Sequence, residues 1–461
     1  MNETIAALST PPGSGGIAIV RLSGPKAHAI VEQVFRPWPT KSPDYFHLYL
    51  GYFYDPVNRR NLDQVLVTLM PSGRSYTGEA MAEIHCHGGT YNSKKILTIL
   101  FALGAVVPPP GEFTKRAYLG GRLDLTQAEA VASLIKAESE AGLAAATAQL
   151  AGELSDFIDK MLTLISSLLA AVEVEIDLLA EEGVNYHQTD ILVPLGKLEK
   201  QCHELLDSYS RGRILQTGIK VVLAGRPNVG KSSLLNALLA EDRALVSTIS
   251  GTTRDVISAP LEIAGIKIEL SDTAGLGQAQ AELEALGMAR TERWLEQAGL
   301  ILLVFDQSRT LNDFDDKLYA KIKEKPHLLL LNKYDLEPVF TVSQLQERFS
   351  YQGPVLRCIG ARDRADISQV IDGITCFIKS QTAVFSDSVM ISQQRHFDLL
   401  SNVSEGLNRA LILAAETEPL LDMLAEELHQ IRFNLLAITG QEHDVSEGLL
   451  DIVFSQFCVG K

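Results

Sequence analysis

Hydrophobic and polar residues alternate differently along successive stretches of the chain, and each pattern predicts a different architecture. Residues 1–120 combine short β-like runs, at 17–22 and 65–69, with proline and glycine punctuation, which is typical of an α+β domain. Residues 123–212 are rich in Ala, Leu and Glu with few breakers and predict helices. Thr126, followed three residues later by Glu129, predicts a capping box at the start of this helical region.

Strand-like runs alternate with helical segments from residue 217 to residue 380, as in a doubly wound α/β sheet. The runs are residues 221–223, 266–270, 300–305 and 328–331. Helical periodicity returns near Ile391. The chain therefore predicts three domains: an N-terminal α+β domain (1–120), a discontinuous helical domain (121–213 and 381–461), and an inserted nucleotide-binding α/β domain (214–380).

Composition limits the classes of partner. The 461 residues carry a formal net charge of −16, with 46% hydrophobic and 21% charged residues. Contact with nucleic acid would therefore need a local basic patch or a second protein. The apolar run at 161–172 is too short to span a bilayer and predicts a packed helix, so no membrane contact is expected.

The cysteines and the first residues indicate a cytoplasmic protein. No Cys-x-x-Cys pair occurs, which is typical of a reducing compartment. The first residues lack a basic segment, so no signal peptide is expected. The scattered cysteines are Cys86, Cys202, Cys358, Cys376 and Cys458.

Residues 225–233 read Gly-Arg-Pro-Asn-Val-Gly-Lys-Ser-Ser, between a strand-like run and a helical run. Glycines allow close backbone approach to phosphates, consecutive N–H groups bind them, Lys231 reaches the β- and γ-phosphates, and the Ser232 hydroxyl can bind Mg²⁺. The segment predicts a nucleoside triphosphate site. Its contact residues are Asn228, Val229, Gly230, Lys231, Ser232 and Ser233.

Two tetrapeptides that follow later strands predict that the nucleotide is GTP. Asp-Thr-Ala-Gly at 272–275 can place Asp272 in the Mg²⁺ shell and the Gly275 N–H at the γ-phosphate. Asn-Lys-Tyr-Asp at 332–335 ends in a carboxylate that accepts two hydrogen bonds from guanine, which adenine cannot supply. Such sites discriminate by roughly 10⁴–10⁵. The contact residues are Asp272, Thr273, Ala274, Gly275, Asn332, Lys333 and Asp335.

Two further loops complete the nucleotide site. The segment at 247–255 resembles the first switch of the translation-factor-related GTPases, and Thr253 is predicted to close over Mg²⁺. The second loop carries Gly360-Ala361-Arg362 in place of the usual Ser-Ala-Lys/Arg, which leaves backbone contacts to guanine. The first-switch contacts are Ser247, Thr248, Ile249, Ser250, Gly251, Thr252 and Thr253.

Hydrolysis needs an unusual catalytic group. Many GTPases carry Gln directly after Asp-x-x-Gly to orient water, but this chain carries Leu276. Glu284 and Glu282, further along the second switch, are alternative carboxylates for that task. An arginine finger, which stabilises the charge of the transition state, raises the rate of GTP hydrolysis roughly 10³–10⁵-fold in other GTPases. Another group therefore has to take that role here.

These motifs together are similar to those of the TrmE/Era/Der group of GTPases. Further features resemble the MnmE family of tRNA-modification GTPases within it: Thr-Pro-Pro-Gly at 10–13, Tyr-Thr-Gly-Glu at 76–79, His-Cys-His-Gly-Gly at 85–89, and the ending Cys-Val-Gly-Lys at 458–461. The matches run along the whole chain. The segment at 441–448 departs from the family pattern by about two additional residues.

The resemblance implies roles in GTP hydrolysis. Glu284 matches the family carboxylate that positions water, beside Lys231 as a catalytic phosphate contact. Asn228 matches the asparagine that holds K⁺ against the phosphates, where a cation offsets developing charge as an arginine finger would. By position, Ser247, Ile249 (through its carbonyl) and Thr252 complete the K⁺ site, and Ser232, Thr253 and Asp272 the Mg²⁺ site.

The resemblance also implies a folate-binding N-terminal domain. It would bind 5-formyl- or 5,10-methylene-tetrahydrofolate and form a homodimer. The matching contact residues are Arg21, Glu79, Arg122 and Lys461. Arg122 stands where many relatives carry Lys, which keeps the charge but changes the contact geometry.

Two cysteine features have competing interpretations. In the family, the terminal Cys, here Cys458, serves the modification chemistry; a buried structural thiol is the alternative. Gly and Lys in the last positions argue against prenylation. His85-Cys86-His87 lacks a second ligand pair at zinc spacing, so we predict a strand end that turns through glycines into a helix near Tyr91.

The function implied by the resemblance is a potassium-stimulated GTPase that modifies tRNA. With the FAD-binding protein MnmG, in a heterotetramer, it would form a 5-carboxymethylaminomethyl-type group at the wobble uridine. One alternative is a ribosome-assembly GTPase of the Era/Der type, although the chain contains no KH-type GXXG loop or second phosphate loop. The other is a purely regulatory, dimerising GTPase without one-carbon chemistry.

Overall fold

The computed structural model describes residues 3–39, 43–182, 188–243, 258–272, 293–358, 364–382, 389–416, 420–441 and 447–461. The chain divides into two compact units. The first contains residues 1–135, 147–203 and 398–461, and the second contains residues 136–146 and 204–397.

An antiparallel sheet forms the beginning of the first unit. Its strands bury alternate side chains, as β2 shows with buried Ala18, Val20 and Leu22, because successive side chains of a strand point to opposite faces. The strand order is β1-β2-β6-β5-β4-β3. The strands are β1 (Ile5–Leu8), β2 (Ile17–Ser23), β3 (Phe35–Arg36), β4 (Tyr49–Asp55), β5 (Arg60–Met70) and β6 (Met81–His87).

The helices of this part confirm the mixed pattern of the first 120 residues. Ile96, Ile99 and Leu100 of the second helix pack into the core of the sheet. That helix begins at Thr90, next to the position predicted from the glycine turn. The helices are α1 (Ala27–Val34), α2 (Thr90–Ala102) and α3 (Glu112–Leu119).

Long helices follow, as the Ala, Leu and Glu pattern predicts. They are α4 (Leu125–Lys136), α5 (Glu140–Leu150), α6 (Glu153–Glu182) and α7 (Gln188–Thr217). The run at 161–172 lies within α6, which buries Ile158, Met161 and Ile165 at helical spacing. Among the described residues, no helix is long and apolar enough to cross a membrane.

Helices from the end of the chain return to the first unit. The last helices are α12 (Gln394–Ala414), α13 (Leu421–Thr439) and α14 (Glu447–Ser455). Helix α13 packs against α6 and buries Leu424, Leu428 and Leu435. Each such side chain contributes about 1.5–3 kcal/mol of hydrophobic stabilisation, so the two parts of the helical region are joined through their apolar faces.

The second unit contains a sheet with the order β12-β11-β10-β7-β9-β8. Its strands are parallel except for the β8–β9 pair. Central strand β10 is buried along its whole length, as expected where helices cover both faces of a parallel sheet. The strands are β7 (Ile219–Ala224), β8 (Ser258–Ile263), β9 (Ile266–Asp272), β10 (Leu300–Asp306), β11 (His327–Asn332) and β12 (Val355–Arg357).

The helices of this sheet complete the predicted α/β order. They are α8 (Lys231–Arg243), α9 (Asp313–Ile322), α10 (Val342–Phe349) and α11 (Arg364–Thr382). Carboxyl ends of β7, β10 and β11 come to one edge of the sheet because these strands are parallel neighbours. Ligands of such sheets bind outside that edge.

The predicted capping box at Thr126 and Glu129 is wrong. Asp124 caps α4 instead: its Oδ1 accepts from the Gln127 N–H at 2.9 Å, and the Asp124 N–H donates to Gln127 Oε1 at 3.0 Å. Thr126 is fully buried and donates to Asp124 Oδ1 at 2.7 Å. The same spacing rule therefore applies two residues earlier, because Asp is also a strong N-cap.

We expect Asp124→Ala to loosen α4. It removes the cap and also the acceptor of the Ser155 hydroxyl, which donates to Asp124 Oδ2 at 2.6 Å. A lost cap costs about 1 kcal/mol, so amide hydrogen exchange in peptides covering α4 should become roughly fivefold faster. Asp156→Ala, an exposed carboxylate in the first turn of α6, is the matched control. Unchanged exchange in the Asp124 variant would contradict the assigned cap.

Candidate functional site

The predicted phosphate loop connects β7 to α8 in the second unit. β7 ends at Ala224 and α8 begins at Lys231, so the N-terminal N–H groups of a helix face the loop, where anions bind. Lys231 is 4% exposed, and its Nζ donates to the carbonyls of Gly225 at 2.9 Å and Arg226 at 2.8 Å. The ammonium group therefore lies inside the loop that is predicted to bind phosphate.

Two side chains of the predicted guanine motif contact the phosphate loop directly. Asn332 Nδ2 donates to the Val229 carbonyl at 2.6 Å, and Lys333 Nζ donates to the Asn228 carbonyl at 3.1 Å. A Cβ on Gly230 would lie 2.1 Å from Asn332 Nδ2, which explains why glycine is required there. Two motifs separated by about a hundred residues therefore form one binding surface.

Asp335 is exposed at the same edge of the sheet. Its loop is anchored because the Tyr334 N–H donates to the Cys358 carbonyl at 3.1 Å and the Arg357 guanidinium lies 5.1 Å from the centre of the Tyr334 ring. A solvent-accessible carboxylate on an anchored loop can accept the two hydrogen bonds that guanine offers.

Asp306 is a charged residue of this edge that the sequence reasoning missed. It ends β10 opposite Asn332 and is fully buried, and its Oδ2 lies 2.7 Å from Lys333 Nζ. Its position directly after an apolar strand is the signal that could have identified it.

The structure describes only some of the other predicted site residues. Ser232 and Ser233 are exposed at the start of α8. Asp272 is the last residue of β9, but its side chain is not among those described. Outside the described residues are Ser247, Thr248, Ile249, Ser250, Gly251, Thr252, Thr253, Thr273, Ala274, Gly275, Leu276, Glu282, Glu284, Gly360, Ala361 and Arg362.

Arg21 lies at the centre of a second charged site, in the first unit. It faces Glu83 across the β2–β6 ladder, and its Nε and Nη2 donate to Glu83 Oε1 at 2.9 and 2.8 Å. Its guanidinium lies 5.7 Å from the ring centre of Tyr76 and 5.9 Å from that of Phe113. The aromatic rings and the carboxylate hold the guanidinium in one orientation.

Glu79 does not pair with Arg21. Its Oε2 accepts from Ser23 Oγ at 2.7 Å and from Arg116 Nη1 at 2.9 Å. Arg116 is 5% exposed. Sequence reasoning missed both Glu83 and Arg116, because the register of β2 against β6 and the approach of α3 are set by the tertiary structure.

The last residues of the chain reach this site. The Ser9 hydroxyl donates to the Gly460 carbonyl at 3.1 Å, and Gly460, at φ +101°, lies so close to Leu8 that a Cβ would stand 2.2 Å from the Leu8 carbonyl oxygen. Burial, followed by the nearby positive charge of Arg21, lowers the pKa of the Lys461 side chain. A partly buried ammonium beside a guanidinium favours binding of an anion.

Cys458 and Arg122 are both exposed. The alternative of Cys458 as a buried structural thiol is therefore wrong: the preceding Phe457 enters the core formed by α4 and α14, and the cysteine that follows lies at the surface. Arg122 Cγ lies 3.5 Å from where a Cβ on Gly78 would stand, which places Arg122 beside the residue preceding Glu79.

The His85-Cys86-His87 segment lies on β6, where alternation places Cys86 on the face opposite to that of the two histidines. Cys86 is buried and donates to the Ala18 carbonyl at 3.4 Å, with its pKa raised to about 11 by burial. His87 Nδ1 lies 2.6 Å from Asp63 Oδ1. Among the described residues, no three or more His, Cys, Asp and Glu side chains come together in a group that could hold a metal ion.

Comparisons with known proteins agree along the chain. A family model described as the GTP-binding protein TrmE N-terminus matches residues 4–122, and one described as the MnmE helical domain matches residues 125–458. The chain is 39% identical to the tRNA modification GTPase MnmE of Natranaerobius thermophilus over 100% of this chain and 99% of that protein. It is 40% identical to that of Moorella thermoacetica, with 100% of both covered.

Among solved structures, the chain is similar to a crystal structure of an Aquifex aeolicus Era variant bound to GDP.AlF4-. The TM-score is 0.28 at 21% identity, with 43% of this chain and 68% of that chain covered.

The predicted fold class is confirmed: an α+β N-terminal part, long helices, and a mostly parallel α/β sheet that carries the phosphate loop. The predicted resemblance is confirmed as well, since both family models and relatives that match from end to end agree. The chain belongs to the MnmE family of tRNA modification GTPases.

Proposed function

We propose that this GTPase is stimulated by potassium and acts with the FAD-dependent protein MnmG. Together they form a 5-carboxymethylaminomethyl-type modification at the wobble uridine of certain tRNAs, with a tetrahydrofolate as one-carbon donor. The observation that carries this proposal is the Arg21–Glu83 site, where the family's Cys-x-Gly-Lys ending meets the N-terminal sheet. A GTPase that only switches between binding states has no need for such a site.

Guanine recognition is assigned to Asp335, with Asn332 and Lys333 supporting the phosphate loop. The carboxylate accepts from guanine N1–H and the exocyclic amine. Bound GTP is then hydrolysed to GDP and phosphate by water that Glu284 orients. Gly360, Ala361 and Arg362 add contacts to the base.

We expect Asp335→Asn to raise the KM for GTP at least about a hundredfold, because an amide cannot accept both guanine donors. The same variant should gain activity toward xanthosine triphosphate, whose C2 carbonyl accepts from the new amide N–H. Steady-state phosphate release with each nucleotide measures both effects. Glu337→Gln, an exposed neighbour, should leave the preference for GTP unchanged. A variant at 335 that still prefers GTP would refute the assignment.

Two cations are proposed beside the phosphates. Ser232, Thr253 and Asp272 offer hard oxygen ligands that suit Mg²⁺, which neutralises phosphate charge. Asn228, Ser247, Ile249 and Thr252 are assigned to K⁺, which supplies positive charge where other GTPases use an arginine finger. Asn228 has φ +62°, a left-handed conformation that asparagine tolerates better than most residues.

GTP turnover should be at least about tenfold faster in KCl than in NaCl of equal ionic strength, because a fixed cation stabilises the developing charge. Asn228→Gly retains the positive φ and removes the side-chain oxygen, so it should lose the potassium response. Asn228→Asp keeps an oxygen ligand and should keep the response. Equal wild-type rates in the two salts would refute the potassium site.

The folate site is assigned to Arg21, Glu79, Arg122 and Lys461, which provide cationic groups for the carboxylates of a 5-formyl- or 5,10-methylene-tetrahydrofolate and a carboxylate for its pterin. The bound folate would supply the one-carbon unit. Cys458, at the surface in the same tail, is proposed to serve the modification chemistry.

A calorimetric titration of the full-length protein with 5-formyltetrahydrofolate should show binding. Arg21→Gln should weaken it roughly 10- to 100-fold, because hydrogen bonds to charged groups contribute about 1.5–3 kcal/mol. Arg36→Gln, an exposed arginine over Tyr54 in the same unit, is the control. If the wild type does not bind the folate, the regulatory GTPase becomes the better interpretation.

The partner would supply the flavin and the basic tRNA surface, which suits a chain with a net charge of −16. We propose that the protein is a cytoplasmic homodimer formed through residues 1–120 and that it assembles with MnmG into a heterotetramer. Residues 214–380 would act as the GTPase domain, and residues 121–213 and 381–461 as the helical domain. A ribosome-assembly role of the Era type is the second candidate. It would be favoured if the protein sedimented with ribosomes and its loss left tRNA modification unchanged.

A further inference from the structure

Asp306 is a buried carboxylate that the GTPase mechanism outlined above does not use. It is 0% exposed, and an isolated charge in such a place is strongly destabilising unless it is paired and hydrogen-bonded. Its partners are close: Lys333 Nζ at 2.7 Å from Oδ2, with Ser308 Oγ at 2.6 Å and the Ser308 N–H at 3.1 Å from Oδ1. Arg309 Nε, on a largely exposed side chain, is further away at 3.4 Å.

These partners keep Asp306 ionised. Burial by itself raises the pKa of the carboxyl, but the hydrogen bonds from Lys333 and Ser308 outweigh burial and hold the pKa below its ordinary value. A permanent negative charge therefore lies next to residues 332–335, the segment proposed to recognise guanine and called here the guanine loop. It fixes the position of the Lys333 ammonium, which is otherwise a flexible group.

The oriented ammonium also acts on the phosphate loop. Besides Asp306, Lys333 Nζ contacts the Asn228 carbonyl at 3.1 Å. Both Lys333 and Asn228 have left-handed backbones, with φ +60° and +62°, a conformation that is strained for lysine and better tolerated by asparagine. The chain Asp306–Lys333–Asn228 thus connects two left-handed positions, one in each proposed nucleotide-binding loop.

We propose that Asp306 is a positioning residue that, through Lys333, holds the guanine loop and the phosphate loop in their binding conformations. Without its charge, Lys333 loses its fixed orientation, the Asn228 carbonyl loses its donor, and both loops relax. This inference rests on the proposed guanine site, and its potassium branch rests on the proposed role of Asn228. Asp306 acts on affinity for nucleotide and cation rather than on the bond-breaking step.

Asp306→Asn keeps the shape of the side chain and removes its charge. In the full-length protein, a fluorescent GDP analogue measured in NaCl should bind about tenfold more weakly, within the usual range of coupling between sites. The KCl concentration for half-maximal GTP turnover should rise about fivefold, while kcat at saturating GTP and KCl stays within twofold. This split between affinity and turnover would not arise from a role in overall folding alone.

Two matched controls test whether the effect comes from the place of Asp306 in the structure or from the loss of any charge. Asp316→Asn removes an equally close but half-exposed pair with Arg348, at 2.9 and 2.7 Å, and should leave GDP affinity unchanged. Arg309→Gln removes the more distant partner of Asp306 and should also have no effect. A fall in GDP affinity in either control equal to that in Asp306→Asn would overturn the assignment to Lys333.

If the single variant does not fold, the double variant Asp306→Asn with Lys333→Gln avoids leaving the partly buried Lys333 ammonium unpaired. Because both changes break one connection, its GDP affinity should equal that of Lys333→Gln alone rather than fall by the product of two effects. Unchanged GDP affinity in a folded Asp306→Asn, or multiplicative losses in the double variant, would overturn the inference. Since GDP binding is measured in NaCl, failure of the potassium site would leave this test intact.

Discussion

Two side-chain hydrogen bonds join the phosphate loop to the guanine loop, and the nucleotide site depends on them. Asn332 and Lys333 donate to the carbonyls of Val229 and Asn228, at the edge where neighbouring parallel strands end. Each net hydrogen bond contributes only about 1 kcal/mol, but the acceptors here are backbone groups of the loop itself. The same contacts therefore hold together the segment proposed to recognise the base and the loop proposed to bind the phosphates.

In the first unit, contacts of the last residues of the chain organise the charged site around Arg21. The tail returns to β1, where Gly460 contacts Leu8 and Ser9, and Lys461 comes near Arg21. Two cations close together repel each other, and the Glu83 carboxylate balances only one of them. Such a site favours an anionic ligand, and the carboxylates of the proposed folate would meet that requirement.

Much of the fold was predictable because its signals are local. Apolar runs identified β7, β10 and β11, and helical periodicity identified α6. The cap of α4 was misplaced by two residues, since Asp124 and Thr126 both satisfy the preference for a short polar N-cap and only the bond to Gln127 distinguishes them. The buried-thiol alternative for Cys458 failed for a similar reason: the orientation of a side chain in a tail depends on what the tail packs against.

By itself, the sequence determined the family of this protein and the motifs that point to its chemistry: a phosphate loop, the Asn-Lys-Tyr-Asp segment at 332–335, a cationic Arg21 and a family pattern from end to end. Such motifs bind through backbone geometry and charge that a short segment encodes. Only the tertiary structure decided the pairings, such as Arg21 with Glu83 and Lys333 with Asp306. Those pairings depend on strand register and on burial, because the charged partners of Arg21 and Asp306 lie far away in the sequence and a charge removed from water needs a partner.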